Sequence, residues 1–228
     1  MRKLLIAVII LAGLLLAADR IGVVVADHKI ASKVQSAYDL PAKPSVSVRG
    51  FPFLTQVASG HYSDIQVSVG QLTTSGVTVD DLVAQLTGVN APIRDLTGNN
   101  TADITAAQVS GTATVPFSSV RSRLPAGVKL SQDGSALRLS GTVRYLGLSL
   151  PVAADAVLSP SGTGIAVTPT KITVDHGSSA LSSLIAGQFR FVIPITGLPL
   201  HLMVKSVSVV SGGVRVGATA TNVAFASK

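Results

Sequence analysis

The sequence predicts an α+β protein, predominantly antiparallel β, preceded by an N-terminal hydrophobic helix. Three observations predict this. After Ser45, apolar and polar residues alternate with period two through most of the chain, the pattern of strands with one buried face. Helical spacing is confined to the N-terminal segment and a few short stretches. All 11 acidic residues are Asp, and a chain without Glu lacks a favoured solvent-face helix residue.

The first element is the leader. Met1-Arg2-Lys3 is basic, and Leu4 to Ala18 is a charge-free run of 15 residues. As helix that run spans about 22 Å, short of a ~30 Å hydrocarbon core, so residues 1–26 read as a signal peptide. Leu16-Ala17-Ala18 places a bulky residue where cleavage wants a small one, and Val24-Val25-Ala26 lies beyond Asp19 and Arg20. An uncleaved signal anchor extended through Ile21–Ala26 fits equally. Either way the basic N-terminus stays inside, and residues 27–228 are exported as a single domain, secreted after cleavage or anchored.

Val23, Ala26, Ile30, Val34 and Tyr38 step by three and four and share one helix face, and Leu40-Pro41 ends that helix. Strand alternation follows at Val46–Val48, Ile65–Val69, Val77–Val79, Ile165–Val167, Leu198–Val204 and Val214–Ala220. It is clearest in Ala136–Arg144, where Leu137, Leu139 and Val143 oppose Arg138, Ser140, Thr142 and Arg144. At Leu146-Gly147 the parity changes, so Leu146, Leu148 and Leu150 continue on the formerly polar face, as a bulge or sharp bend would allow. Turn chemistry marks Gln132–Ser135, Ser159–Gly162 and Ser211–Gly213. Pro116 opens a short helix carrying Phe117, Val120 and Leu124, closed by Pro125. Leu181, Leu184 and Ile185, followed by Gly187, suggest a third.

Composition excludes several chemistries. Zero Cys removes disulfides, thiol nucleophiles, Cys-ligated metals and a lipidated N-terminal Cys. Charged residues are 13%, half the ~25% of ordinary soluble domains, and subtracting the leader does not restore them. His28, His61, His176 and His201 show no zinc spacing, and no H-E-x-x-H motif is possible without Glu. His61 and Asp64, three apart in a strand, point to opposite faces. No G-x-S-x-G occurs. Gly177-Ser178-Ser179 reads as a capping segment, and Gly162-Thr163-Gly164 lacks the third glycine of a dinucleotide fingerprint. Asp80-Asp81, the only close carboxylate pair, reads as a solvated turn. No catalytic residue, metal or cofactor is expected, and the chain does not read as an enzyme.

The net charge of +7 is dispersed. With 4% aromatic residues and no recognition motif, nucleic acid is not the expected partner. A basic surface outside the cell suits anionic phospholipid headgroups. One connection is unusual. Gly50-Phe51-Pro52-Phe53-Leu54-Thr55-Gln56-Val57 joins two strands yet holds two of the six Phe, whereas surface connections are ordinarily polar. It is either a buried plug or a ligand-facing segment. Phe189, Phe191, Ile193 and Ile195 form a second apolar face leading to Gly197-Leu198-Pro199-Leu200.

The basic-then-apolar leader, the Asp19-Arg20 step, the Gly50–Gln56 block, the Ser59-Gly60-x-Tyr62 turn and the Gly197-Leu198-Pro199-Leu200 segment together resemble the LmeA-like phospholipid-binding family of actinobacterial envelopes. The resemblance runs over nearly the whole chain, and Phe51–Gln56 is its most specific part. It implies a tubular, BPI-like lipid-binding architecture: a long curved sheet wrapped around one or two amphipathic helices and enclosing an apolar groove. It also implies phospholipid binding at the membrane surface of the envelope or its periplasm-like space, linked in the family to lipoglycan maintenance, without catalysis. Acyl contacts are then expected at Phe51, Pro52, Phe53, Leu54, Val57, Leu146, Leu148, Leu150, Phe189, Phe191, Ile193, Leu198 and Leu200. Headgroup contacts are expected among Arg49, Arg121, Arg123 and Arg144, with Arg94 a further candidate. Eight sequestered methylenes would contribute roughly 6 kcal/mol before ordering costs. Two other readings fit the residues: a membrane-anchored envelope scaffold or interaction module with a filled core, and a lipid-modifying hydrolase.

Overall fold

A computed structural model of the chain describes residues 2–74, 77–92, 94, 103–121, 124, 127–133, 136–145, 148–162, 164–174, 190–194, 200 and 202–225. Leader and amphipathic stretch form one continuous helix, α1 (Arg2–Ala37), 36 residues long. Its halves differ in surroundings. The large side chains from Leu4 to Leu16 are 49–73% exposed. From Asp19 onward a regular stripe turns inward, with Asp19 and Ala31 buried and Val23, Ala26, Asp27, Ile30 and Val34 half-buried. That stripe is the predicted face except at its end. Tyr38 lies past the last helical residue and is 57% exposed. Asp39 turns the chain with φ 48°, and Leu40 is buried in place of Tyr38.

The strands form two sheets. One has the order β1-β2-β3-β4-β11-β10, from β1 (Ser45–Arg49), β2 (His61–Thr74), β3 (Val77–Asn90), β4 (Thr105–Pro116), β10 (Met203–Val210) and β11 (Gly213–Ala224). The other has the order β5-β6-β7-β8-β9, from β5 (Lys129–Asp133), β6 (Ala136–Tyr145), β7 (Leu148–Ser161), β8 (Gly164–Val174) and β9 (Phe191–Pro194). β1-β2, β5-β6, β6-β7, β7-β8, β8-β9 and β10-β11 all pair antiparallel. The α+β, antiparallel class with a long apolar N-terminal helix is borne out.

Four local readings change. The Phe51 segment is not a plain connection, because Phe53–Ser59 forms a helix, α2. The parity change falls between two paired strands, β6 ending at Tyr145 and β7 beginning at Leu148, rather than within one strand. Val143 pairs with Leu150 and Leu139 with Ala154, and directly opposed residues share a face, so Leu150 belongs with the apolar set of β6. Asp80 and Asp81 lie inside β3 rather than in a turn, with Asp81 at φ 51°. The strand expected over Leu198–Val204 begins only at Met203, and Leu200 has φ 61°, outside the extended region. The short helix after Pro116 is present as α3 (Phe117–Arg121). The one expected near Leu181 lies outside the described residues.

Contacts divide the chain into two units, Met1–Gln71 with Val83–Gly111 and Ala220–Lys228, and Leu72–Leu82 with Thr112–Thr219. The second unit has a buried hydrophobic cluster in which Phe117, Val120, Leu137, Leu139, Val152, Val167, Val204 and Val214 pack together. Leu139 is 0% and Leu137 1% exposed. Strands approach closely there, for a Cβ at Gly213 would lie 2.5 Å from the Val115 carbonyl oxygen, so only glycine fits. The first unit is built where α1, α2 and β1 meet, with Val46, Val48, Phe53, Tyr62 and Val69 buried.

Candidate functional site

The Phe51 segment is positioned by two carboxylates on the inward stripe of α1. Asp27 Oδ1 accepts the Val48 amide at 2.8 Å. Val48 belongs to β1, the edge of its sheet, where an amide left over would otherwise be open to pairing. Two helical turns earlier, Asp19 Oδ1 accepts the Leu54 amide, also at 2.8 Å. The N-cap residue of α2 is Pro52, which makes no side-chain cap bond. Leu54 is then the second helical residue, whose amide an N-cap side chain ordinarily takes. Asp19 therefore caps α2 from another helix. It is 2% exposed, and its Oδ2 has Arg20 Nη2 at 3.6 Å.

Packing completes the joint. A Cβ at Gly22 would meet Phe53 Cδ1 at 3.2 Å and Leu54 Cδ2 at 3.8 Å, so α2 rests directly on the bare backbone of α1. Phe53 is buried with its ring centroid 6.5 Å from that of Tyr62, and burial raises the Tyr62 phenol pKa above its ordinary value. Gln56 is buried and its Oε1 accepts the Ser63 amide at 3.0 Å. Gly60 ends α2 at φ 71°, the usual glycine exit, and its carbonyl accepts the Ala91 amide at 2.7 Å.

The same segment presents apolar surface outward. Phe51 is 60% and Leu54 40% exposed, Pro52 is exposed and Val57 half-buried. The Arg20 guanidinium stands 5.0 Å from the Phe51 ring centroid, a cation–π distance. Phe51 and Phe53 thus divide the two roles weighed for the segment, with Phe53 as the plug and Phe51 facing out.

The other expected contacts lie in the second unit or outside the described residues. Leu150, Phe191 and Ile193 are partly buried against its core cluster, and Leu200 is half-buried. The backbone of Leu148 pairs with Tyr145. Leu146, Phe189 and Leu198 lie outside the described residues. Among the headgroup candidates, Arg49 Nη1 reaches Asp64 Oδ2 at 3.4 Å and its other nitrogen donates to Gln66. Arg121 Nε donates to the Leu130 carbonyl at 3.3 Å. Arg144 lies in β6, its backbone opposite Ser149, and Arg123 is outside the described residues. Arg49 belongs to the first unit and Arg121 and Arg144 to the second.

His28 Nε2 accepts from Lys43 Nζ at 2.9 Å, and His61 Nδ1 donates to the Ser59 carbonyl at 2.8 Å. His176 and His201 lie outside the described residues. Among the described residues no group of three His, Asp or Glu could hold a metal ion. A shallow hollow of about 450 Å³ on the second unit is lined by Lys129, Ser140, Thr142, Pro151, Val152 and Thr173, among others. Sequence reasoning missed Asp19, Gly22, Asp27 and Gln56 as the residues that seat the Phe51 segment. The one available signal was Asp19, the first charge after the charge-free run from Leu4 to Ala18.

A family model described as LmeA-like phospholipid-binding matches residues 17–219, most of the chain. The match begins two residues before Asp19, so the inward half of α1 falls inside it. Comparison with curated proteins and with solved structures found no match.

Proposed function

The chain belongs to the LmeA-like phospholipid-binding family, and from that premise we propose that it is an exported, non-enzymatic phospholipid binder or carrier of the cell envelope. The family match over residues 17–219 is the observation that carries this reading. The α1 helix, long and apolar enough to cross a membrane, supports delivery to the envelope. The outward Phe51 and Leu54 support contact with lipid on the first unit. On the second unit the proposed acyl contacts are Leu150, Phe191 and Ile193, which sit at the border of the packed cluster rather than at its centre, and the half-buried Leu200. Headgroup contact is assigned to the basic residues and favours anionic phospholipid, since the chain carries +7 overall and attracts negative surface charge. Loose chain selectivity follows, because methylenes offer no hydrogen bonds to read.

The test is lipid extraction. The full chain is purified in mild non-ionic detergent, extracted with organic solvent and analysed by mass spectrometry. The leader fused to an unrelated soluble domain gives the background of membrane lipid. Stoichiometric phospholipid above that background is expected, together with transfer between liposomes. Absence of both overturns the reading, and release of lysolipid or free fatty acid from liposomes replaces it with a hydrolase.

A second reading, an anchored envelope scaffold with a filled interior, draws on the close-packed cluster around Leu137, Leu139 and Val167. Extraction at background level together with full stability of the purified chain is its expected result.

A further inference from the structure

The geometry points to a bilayer seat on the first unit: the edge formed by Arg20, Ile21, Val24, Phe51 and Leu54 lies in the lipid interface while α1 crosses the membrane uncleaved. This goes beyond lipid binding as such and does not depend on a carried lipid.

Helix length sets the depth of the span. A hydrocarbon core of ~30 Å entered at Leu4 takes about 20 residues of helix, which ends near Val24 rather than at Ala18. The surface of α1 marks the same level. On its outer face Ile21, Val24 and Val25 are 65%, 67% and 48% exposed, and one turn later that face carries exposed His28, Lys29, Ser32 and Lys33. Apolar surface thus continues past Asp19 and Arg20 and stops where the helix should leave the acyl region.

Two charges interrupt that stretch, and each is handled in a way that suits an interface. A bare Asp at this depth would be costly. Asp19 instead turns inward, where it is 2% exposed and holds the Leu54 amide, so α2 covers it. Arg20 lies outward, its side chain 62% exposed, against the Phe51 ring. A long cation reaching toward headgroups beside an aromatic ring is the usual arrangement of residues at a membrane surface. Leu54 packs at Gly22 and Phe51 lies against the Arg20 side chain, which places both beside the last turn of the span. Cleavage after Ala26 would remove Asp19, Gly22 and Val23, and with them the surface on which α2 rests.

The chain has no Trp, so single substitutions report position directly. Phe51→Trp and, separately, Leu54→Trp in the full chain are reconstituted into phosphatidylcholine/phosphatidylglycerol vesicles containing phospholipid brominated high on its acyl chains. Tyr38→Trp, about 21 Å further along the helix axis from Val24, serves as the control. The expected result is a blue-shifted emission quenched several-fold more at positions 51 and 54 than at 38. The quenching should disappear when the vesicles are dissolved in excess detergent and the protein is re-isolated. Quenching that survives re-isolation would place a carried lipid at Phe51, overturning the bilayer seat while leaving phospholipid binding intact. Unquenched, water-exposed emission at both positions also overturns it, as does an intact mass lacking residues 1–26. Circular dichroism matching the parent chain is required of each variant, and the two tryptophan positions keep the test open if one fails to fold.

Discussion

Replacing Asp19 with Ala removes the acceptor that caps α2, and its size can be worked from the joint. A hydrogen bond to a charged group contributes about 1.5–3 kcal/mol, and loss of a helix N-cap costs typically ~1 kcal/mol. Against this, Asp19 is a buried carboxylate whose Oδ2 has no hydrogen bond, so its removal recovers some desolvation. The net expectation for Asp19→Ala is a loss of about 1–2 kcal/mol. With a urea slope of roughly 1–3 kcal/mol per molar, the midpoint falls by about 0.3–2 M. The local readout is sharper. Hydrogen exchange of a peptide spanning residues 51–60, measured on the full chain in detergent, should accelerate about tenfold, the equivalent of ~1.4 kcal/mol in local opening. Asp19→Asn keeps an acceptor oxygen for Leu54 and should lie between parent and Ala variant. Unchanged exchange over residues 51–60 in Asp19→Ala, with an unchanged midpoint, would refute the capping role. A fully restored Asn variant would show that the oxygen matters and the charge does not.

Three further outcomes follow from the same packing. Gly60→Ala forces a Cβ into φ 71° and to within 3.1 Å of Pro92 Cα, so urea unfolding should show a loss of at least about 1 kcal/mol. Leu139→Ala empties the centre of the second unit's cluster, where Leu139 is 0% exposed, and should cost about 2–5 kcal/mol by the same titration. Tyr62 supplies a pH signature. Burial raises its phenol pKa above 10.0, so the folded chain holds this proton more tightly than the unfolded chain. That stabilisation is complete below pH 10 and is lost as pH rises from 10 through the raised value. Tyr62→Phe should therefore show a shallower fall in thermal midpoint above pH 10 than the parent, and an identical slope would contradict the assignment.

Phe51–Val57 shows how far local sequence reaches. Its apolar content in a connecting stretch was legible, as was the choice between plug and ligand-facing segment. The division of that choice between neighbouring residues was not, because Phe53 goes inward only by virtue of the bare backbone at Gly22, 31 positions earlier. Leu150 gives the complementary case. Its alternation with Leu148 was visible, but its face depended on which residue of the preceding strand it would oppose, and pairing with Val143 decided it. The inward stripe of α1 was predictable from steps of three and four. Asp19 and Asp27 belong to the same stripe and were not recognised, since periodicity sorts residues by polarity and these two are polar groups turned inward.

By itself the sequence determined the strand periodicity, the apolar leader, the absence of thiol chemistry and, through the ordered blocks from the leader to Leu200, the family. These are properties of spacing and composition, which act locally. Only the tertiary structure decided that α1 belongs to the folded unit from Asp19 onward, and that Phe51 faces out while Phe53 faces in. Both depend on hydrogen bonds and contacts between residues more than 25 positions apart, whose partners chain folding selects and no local pattern encodes.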